Sequence, residues 1–307
     1  MGFFIYLNIS KFYYYNKKMI RPEKRLVFHF YINDGWEDSI TNKIHLECLK
    51  TYSYVFDEVM FVISLDDTSN IELIRSLELF LLDLGLTPRI SFKIVENSYL
   101  RDSKTFYDFV VKDMDKYDGL TFFAHNKGTT NLSTYDIENV ATWIISMYFL
   151  SLEYIKEVEN SLTEGRSLSF GSLLNEIEYD KIVKGGTDSY WNGWEEWKEA
   201  FINKGNAFLG EYKYQYMGTF FWINGKTIFE YARKNKIEIP TLTDRWYAEN
   251  FCSNLYPMQF AASHKGLFSQ NYLQAGAEIN EMVKESITED EMDNFLTFKN
   301  EILSRVL

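Results

Sequence analysis

The first 125 residues alternate between short apolar runs and segments with helical spacing, and this alternation constrains the fold more than any other feature. The runs are residues 26–32, 59–65, 90–95 and 120–124. All but the third lack a polar face, which is typical of strands covered on both sides in a parallel sheet. The alternation predicts an α/β fold with a doubly wound, mainly parallel sheet flanked by helices. The predicted helices between the runs are residues 41–54, 70–84 and 106–114.

Composition and missing motifs exclude several classes of function. A formal net charge of −12 argues against nucleic acid as a partner, because binding to a phosphate backbone needs a cationic face. No glycine fingerprint of dinucleotide-binding folds follows the first run, and no Gly-x-x-x-x-Gly-Lys loop is present, which argues against dehydrogenases and P-loop proteins. Cys48 and Cys252 have no zinc-type spacing, so we expect both to be buried packing residues. The aromatic content of 18% suits a core and also the walls of sugar or nucleotide pockets.

The run at 120–124 is followed by the most distinctive motif of the chain, His125-Asn126-Lys127-Gly128. Ligands of open α/β sheets bind where strands end, so this motif is predicted to reach the ligand edge of the sheet. Lys127 offers a point charge, and Gly128 lets the backbone approach closely, which suits an anion. An ordinary turn, in which Asn and Gly adopt left-handed conformations, is the alternative.

The second half of the chain reads as a mixture of strands and helices. Residues 174–213 combine Trp191, Trp194 and Trp197 with acidic residues, which fits either a sugar-binding surface or a helical insertion with a tryptophan core. The strand at 216–224 carries a glycine near its start, a feature that often marks close approach of a ligand. The predicted elements are a long amphipathic helix at 136–158, strands at 168–173 and 216–224, and helices at 225–234, from 243, and at 278–306.

The two ends of the chain read as separate from the central domain. Residues 1–24 are interpreted as an appendage, since their positive charges follow the apolar stretch instead of preceding it as in a secretory signal. No run is long enough to span a bilayer. Cys48 and Cys252 fit a reducing compartment, so we expect a cytoplasmic protein. Three consecutive tyrosines between lysines leave open a peripheral contact with the inner face of the membrane. Residues 271–307 are predicted to be a C-terminal helical segment.

Taken together, three motifs resemble those of bacterial surface-polysaccharide glycosyltransferase-like proteins, related to rhamnan and capsule synthesis enzymes. In that group a His-x-Lys-Gly turn ends a central strand, a later strand reads Gly-Asn/Thr-Phe-Trp-Trp, and a helix with an acidic residue follows. The resemblance covers about residues 25–260, and residues 101–106 also look like the family. The matching motifs here are His125-Asn126-Lys127-Gly128, Gly218-Thr219-Phe220-Phe221-Trp222, and Asp244-Arg245 to Glu249.

The resemblance implies a GT-A-like, Rossmann-like fold that transfers a sugar from a nucleotide-sugar donor to a surface glycan or another saccharide or lipid-linked acceptor. The domain would span residues 25–270, with a nucleotide-sugar half at 25–135 and a mixed, aromatic-rich acceptor half at 136–270. The Asp-x-Asp that binds Mn²⁺ or Mg²⁺ in many such enzymes would lie at 125–127, where this chain has His-Asn-Lys. The requirement for a divalent metal is therefore open, and we assign no metal ligands. A cation and N–H groups can also stabilise a departing diphosphate.

Site roles follow from these readings. An inverting transfer needs a carboxylate that accepts the proton of the acceptor hydroxyl. Glu249 is the candidate by resemblance and Asp244 by its place at a helix start, although an ion pair between Glu249 and Arg245 is a rival interpretation. Asp66-Asp67 is either a metal pair or an acidic loop cap. The other expected contacts are His125, Asn126, Lys127 and Gly128 for the donor diphosphate, Asn33 and Asp34 for the nucleotide, and Gly218, Thr219, Trp222 and Arg245 for the donor or acceptor cleft.

Two other functions stay open at this point. A non-catalytic protein that binds a carbohydrate or a nucleotide would keep the same fold, and the missing Asp-x-Asp leaves this alternative open. A structural subunit of a polysaccharide assembly would bind neither ligand.

Overall fold

The protein was analysed as a computed structural model. It describes part of the chain. Within it, no helix is both long enough and apolar enough to cross a bilayer. The described residues are 22–33, 35–126, 137–163, 168–171, 174–178, 212–216, 219–242, 245, 247–254, 260–262 and 289–307.

A seven-stranded sheet organises the molecule, and its strand order is β3-β2-β1-β4-β8-β5-β9. The strands β1 to β4 are mutually parallel, β8 runs antiparallel to both of its neighbours, and β5 is parallel to β9. The predicted mainly parallel sheet is therefore confirmed. The strands are β1 Lys24–Ile32, β2 Glu58–Leu65, β3 Arg89–Glu96, β4 Leu120–His125, β5 Ser169–Gly171, β6 Leu174–Glu178, β7 Tyr212–Tyr216, β8 Phe221–Asn224 and β9 Phe260–Ala262.

Helices cover both faces of the sheet, which explains why the strands have no polar face. Side chains of β1 alternate between two core clusters, with Phe28 in the first and Val27 in the second. Residues of α1, α2, α4, α5 and α8 belong to the first cluster, and residues of α3, α6 and α7 to the second. The helices are α1 Ile40–Tyr52, α2 Ile71–Asp83, α3 Arg101–Phe109, α4 Ile137–Leu152, α5 Ile155–Thr163, α6 Gly225–Asn235, α7 Tyr247–Asn254 and α8 Glu289–Val306.

Local capping fixes where several helices begin. The side chains of Ser39, Asn70 and Asn224 accept hydrogen bonds from backbone N–H groups in the first turns of α1, α2 and α6. Such caps satisfy donors that have no partner inside the helix. The predicted helix at 70–84 accordingly begins one residue later, after its Asn70 cap.

Two sequence-based boundaries were wrong in the second half. The single amphipathic helix expected at 136–158 is two helices, α4 and α5, separated at 153–154, and α4 is buried on nearly all sides. It packs between α1 and α8, so it has no need of a polar face. The single strand expected at 216–224 is divided into β7, which pairs with β6, and β8, which joins the main sheet.

The ends of the folded unit are fixed by buried charges and apolar contacts. The sheet begins at Lys24, one residue inside the expected appendage, and its fully buried ammonium forms an ion pair with Glu159. The expected C-terminal helix begins at Glu289 within the described residues, and its Phe295 and Ile302 are fully buried. The expected insertion at 174–213 begins with β6 and ends in β7, which form a two-stranded antiparallel pair.

Candidate functional site

The strand order places a topological switch point between β1 and β4. The chain leaves β1 for β2 on one side, whereas β4 pairs with β1 on the other side. Open α/β sheets bind ligands in the crevice that forms outside the carboxyl ends of the strands at such a point. We call the side of the sheet where β1 to β4 end the carboxyl edge. Because β8 is antiparallel to β4, the segment that precedes β8 also reaches this edge.

Two histidines are neighbours near the carboxyl edge. His29 of β1 and His125 of β4 are in register on adjacent strands, so their side chains share the α3 face of the sheet. Nδ1 of His29 lies 2.8 Å from Oγ1 of Thr105 in α3, and the two groups share a hydrogen bond. Burial lowers the pKa of His29 to about 4, opposed by Asp102 and reinforced by His125. His29 is therefore neutral at neutral pH and contributes no charge to anion binding.

Asn126, expected to contact the donor diphosphate, instead ties β4 to β1. Its side-chain N–H groups donate to the carbonyl of Tyr31 at 2.7 Å and to Oδ1 of Asn42 at 2.9 Å. Its Oδ1 accepts the backbone N–H of Tyr31 at 2.8 Å, and its own backbone N–H donates to His29. Every N–H donor of Asn126 is used inside the protein, so none is left for a phosphate, and that expectation is corrected.

His125 lies half-buried at the end of β4, with its ring 6.2 Å from that of Phe220. His125 thus lies at the carboxyl edge, and its contact with a donor diphosphate stays a prediction. Lys127 and Gly128, the other predicted phosphate contacts, follow it and lie outside the described residues.

The end of β1 is organised by a turn. Asn33, predicted to lie near the nucleotide, is exposed, and its carbonyl accepts the backbone N–H of Trp36 at 3.1 Å. Nδ2 of Asn42 donates to the carbonyl of Trp36, which links this turn to Asn126. Asp34, the second predicted nucleotide contact, lies outside the described residues.

The Asp66-Asp67 pair is engaged in hydrogen bonds within its own edge of the sheet. Asp66 accepts from the hydroxyl of Tyr31 at 3.0 Å and from the amide of Asn97 at 2.7 Å. Asp67 accepts from the hydroxyl and backbone N–H of Ser69. These hydrogen bonds lower the pKa of Asp67. The contacts are those of an acidic loop cap, and the described residues contain no group of three or more His, Cys, Asp or Glu side chains that could hold a metal.

A pocket of about 320 Å³ opens on the α3 face beside the ends of β2 and β3. That volume is at the small end of the range for ligand sites. Arg101, the first residue of α3, lines it with a left-handed φ of 49°, and its guanidinium makes no hydrogen bond or ion pair with other described residues. Lys104 also lines it and is paired with Asp108. The remaining lining residues are His29, Ser64, Val95, Glu96, Asn97, Ser98, Thr105 and Phe109.

The opposite face of α3 holds two segments of the second half. Asp102 accepts a 3.1 Å hydrogen bond from the hydroxyl of Thr219. Thr219 is completely buried and has a φ of 57°, which is a strained conformation for a β-branched residue. Ser103 contacts α7 through the carbonyl of Arg245 and the N–H of Ala248. Thr219 and the start of α7, both predicted from sequence, therefore meet α3 on one side.

The other predicted site residues differ in burial, and two of them are not described by the structure. Glu249 is half-buried in the first turn of α7, and Arg245 is half-buried just before it. Trp222, expected to line the cleft, is fully buried between Phe56 and Phe122 in the core, where its indole N–H donates to the carbonyl of Ser151 at 2.9 Å. The cleft expectation for Trp222 is therefore wrong. Gly218 and Asp244 lie outside the described residues.

No role was assigned to His29 from the sequence, and residues 101–106 of α3 were noted by resemblance without roles for their side chains. His29 is a polar residue inside an otherwise apolar run, and that exception was a readable signal. The signal from α3 was weaker, because polar residues in a helix ordinarily form a face exposed to solvent. The polar residues concerned are Asp102, Ser103 and Thr105. Their burial depends on α7 and β1, which are distant in sequence.

Comparisons with known proteins do not identify a family for this chain. No family model matches it, and no curated protein matches it. Among solved structures, 18 chains match, including 4-diphosphocytidyl-2C-methyl-D-erythritol synthase from Anaerococcus prevotii at a TM-score of 0.39 and 12% sequence identity. The match covers 94% of this chain and 100% of that one. At this TM-score the likeness carries no argument about the fold or the activity.

Proposed function

We propose that the protein is a GT-A-like glycosyltransferase that moves a sugar from a nucleotide-sugar donor to a hydroxyl of a saccharide or lipid-linked glycan acceptor. The organisation of the sheet supports this proposal. A parallel half comes first, and a half with a reversed strand and an excursion between β5 and β8 follows. This order supports a nucleotide-sugar half followed by a mixed acceptor half.

The observation that carries the proposal is Arg101 in the pocket beside the ends of β2 and β3. The protein has a net charge of −12, yet this pocket contains a guanidinium without an ion-pair partner among the described residues. A guanidinium binds phosphate oxygens through two parallel hydrogen bonds, which makes it suited to a diphosphate. The strained φ of Arg101 is an independent sign of a functional position.

The departing nucleoside diphosphate gains negative charge as the glycosidic bond breaks. In the proposed mechanism, Lys127 and His125 stabilise this charge together with Arg101, and the backbone at Gly128 approaches the phosphates closely. Asn126 keeps the edge in place and does not touch the ligand. Since the cations Lys127 and Arg101 can act without a divalent ion, Mn²⁺ or Mg²⁺ is not required by the proposal.

The acceptor hydroxyl must lose a proton as it attacks the sugar. We assign this proton to Glu249, which lies at the start of α7 close to the segments that α3 brings together. Asp244 is the second candidate from the sequence. The carboxylate accepts the proton, the acceptor oxygen bonds to the anomeric carbon, and the nucleoside diphosphate leaves with the electron pair of the broken bond.

Calorimetry with UDP-, GDP- and dTDP-sugars, each with and without Mn²⁺, tests the donor site. We expect one nucleotide class to bind and Arg101→Gln to weaken binding about tenfold or more, since charged hydrogen bonds to phosphate are lost. Arg75→Gln is the matched control, because Arg75 is exposed on α2 at the other face of the sheet. If no nucleotide binds, or if both variants bind alike, the donor site is wrong.

A transfer assay tests the chemistry separately. Lys127→Ala and Glu249→Gln are expected to reduce turnover at least a hundredfold, as removal of charge stabilisation or of a general base does. Near-normal turnover in both variants would end the catalytic assignment. Nucleotide binding without transfer to any acceptor would instead identify a non-catalytic binding protein.

A further inference from the structure

Helix α3 has two functional faces. Arg101, Lys104, Thr105 and Asp108 recur at i, i+3, i+4 and i+7, and all four line the pocket. Asp102 and Ser103 point the other way, towards Thr219 and α7. A short helix is a rigid unit, so a ligand that fixes the first face also fixes the second.

The contact between Ser103 and α7 has the geometry of a helix cap. Ser103 is fully buried, and its Oγ accepts the backbone N–H of Ala248, the second residue of α7, at 3.1 Å. The hydroxyl of Ser103 donates to the carbonyl of Arg245 at 2.7 Å. The bond to the N–H of Ala248 is normally made by the side chain of the N-cap residue, which belongs to the same chain segment as the helix. Here a neighbouring helix supplies it.

The residue directly before α7 cannot make this bond itself. It is Trp246, whose indole N–H is a donor and accepts no hydrogen bond. Ser103 therefore provides what the local sequence lacks. Glu249 follows Ala248 directly, so the cap lies one residue from the proposed catalytic carboxylate.

We propose that Ser103 is a positioning residue that caps α7 from α3 and links the occupied pocket to the placement of Glu249. The catalytic part of this inference rests on the function proposed above. The capping part is a property of the fold and does not depend on it. Aromatic packing between Phe106 and Phe251, with ring centroids 5.1 Å apart, holds α3 against α7 without the hydroxyl. Removal of the hydroxyl should therefore leave the protein folded.

Hydrogen exchange in the full chain tests the cap without any ligand. In Ser103→Ala, the α7 amides up to Phe251 should exchange about fivefold faster than in the wild type, which corresponds to the usual loss of about 1 kcal/mol for an N-cap. Ser103→Thr keeps the hydroxyl and should restore protection. Ser146→Ala is the matched control, since Ser146 is also fully buried but bonds only within α4. Equal α7 exchange in wild type, Ser103→Ala and Ser146→Ala would overturn the capping role.

The linkage is tested by repeating the exchange with the nucleotide that binds in calorimetry. In the wild type, nucleotide should slow exchange in α7, and Ser103→Ala should lose most of this slowing while its nucleotide affinity stays within about twofold. In transfer, kcat should fall about tenfold with an unchanged KM for the donor. Nucleotide binding that leaves α7 exchange unchanged in the wild type would refute the linkage and leave the proposed function standing. Failure of all nucleotides to bind would overturn both the function and the linkage.

Discussion

The hydroxyl of Thr219 donates to Oδ2 of Asp102 at 3.1 Å, and this contact holds a β-branched residue in the left-handed region at a φ of 57°. A conformation of this kind costs about 1–3 kcal/mol and persists only where its surroundings enforce it. Asp102 lies in the first turn of α3, one residue after the Arg101 of the pocket. The strained segment and the pocket are thus anchored on the same helical turn.

Thr219→Val should destabilise the protein by about 1–3 kcal/mol, because it removes a hydrogen bond to a charged group and keeps the β-branched strain. Thr219→Ser should be close to neutral, since it keeps the hydroxyl and removes the branch. Urea unfolding of the two variants measures the difference. Equal stability of the valine and serine variants would mean that the bond to Asp102 contributes nothing.

Acid should weaken the fold through His29. Its pKa is about 4 in the folded protein and about 6.5 in an unfolded chain. Between these values the unfolded state binds more protons, so the free energy of unfolding falls as the pH falls from about 6.5 to 4, by about 3 kcal/mol in total. His29→Gln keeps a polar group beside Thr105 but does not titrate. Urea unfolding at pH 7 and pH 4.5 should show a smaller loss in this variant than in the wild type, and identical losses would contradict the assignment.

Asn126→Asp should cost about 3 kcal/mol or more. The carboxylate would face the carbonyl of Tyr31 and Oδ1 of Asn42 without the two N–H groups that now bond them, in a position that is only 4% exposed. Asn33→Asp is the matched control at the same edge, because Asn33 is exposed. The free energies of unfolding of the two variants, measured by chemical denaturation at pH 7, should therefore differ by about 3 kcal/mol or more. A stable Asn126→Asp protein would reopen a role for this side chain at the ligand.

Trp222→Phe should act on stability and leave substrate binding unchanged. The change removes the hydrogen bond to Ser151 and part of a fully buried ring system, which costs about 1–3 kcal/mol. Thermal unfolding measures the loss, and the KM for the donor in the transfer assay should stay within about twofold of the wild type. A large change in KM with unchanged stability would mean that Trp222 lines the cleft and would contradict its assignment to the core.

The first half of the fold was predictable because its signals are local. Runs such as 26–32 and 59–65 are apolar on both faces, and Asn70 marks the start of α2 at the expected place. In the second half, local signals were weaker than tertiary contacts. The segment 136–158 contains enough polar residues to read as amphipathic, yet α4 is buried because α1 and α8 cover it.

The sequence predicted where a candidate site would lie but only some of the side chains found there. Strand ends indicated the carboxyl edge, and Thr219, His125 and Glu249 are near it. Period-two alternation did not reveal that Trp222 faces the core, since the sheet is covered on both sides. Asn126 and Ser103 gained their roles from partners far away in sequence, and no local pattern encodes such partners.

The reversed direction of β8 has a consequence for how the protein can diversify. Because β5 and β8 are antiparallel neighbours, the chain leaves Gly171 and returns to Phe221 on the same side of the sheet, which is the carboxyl edge. Between these two residues, β6 and β7 form a strand pair outside the main sheet, whereas Thr219 and Phe220, just before β8, are fully buried. Under the proposed function, changes in the β6–β7 pair would therefore alter acceptor preference and leave the donor side at β1 to β4 unchanged.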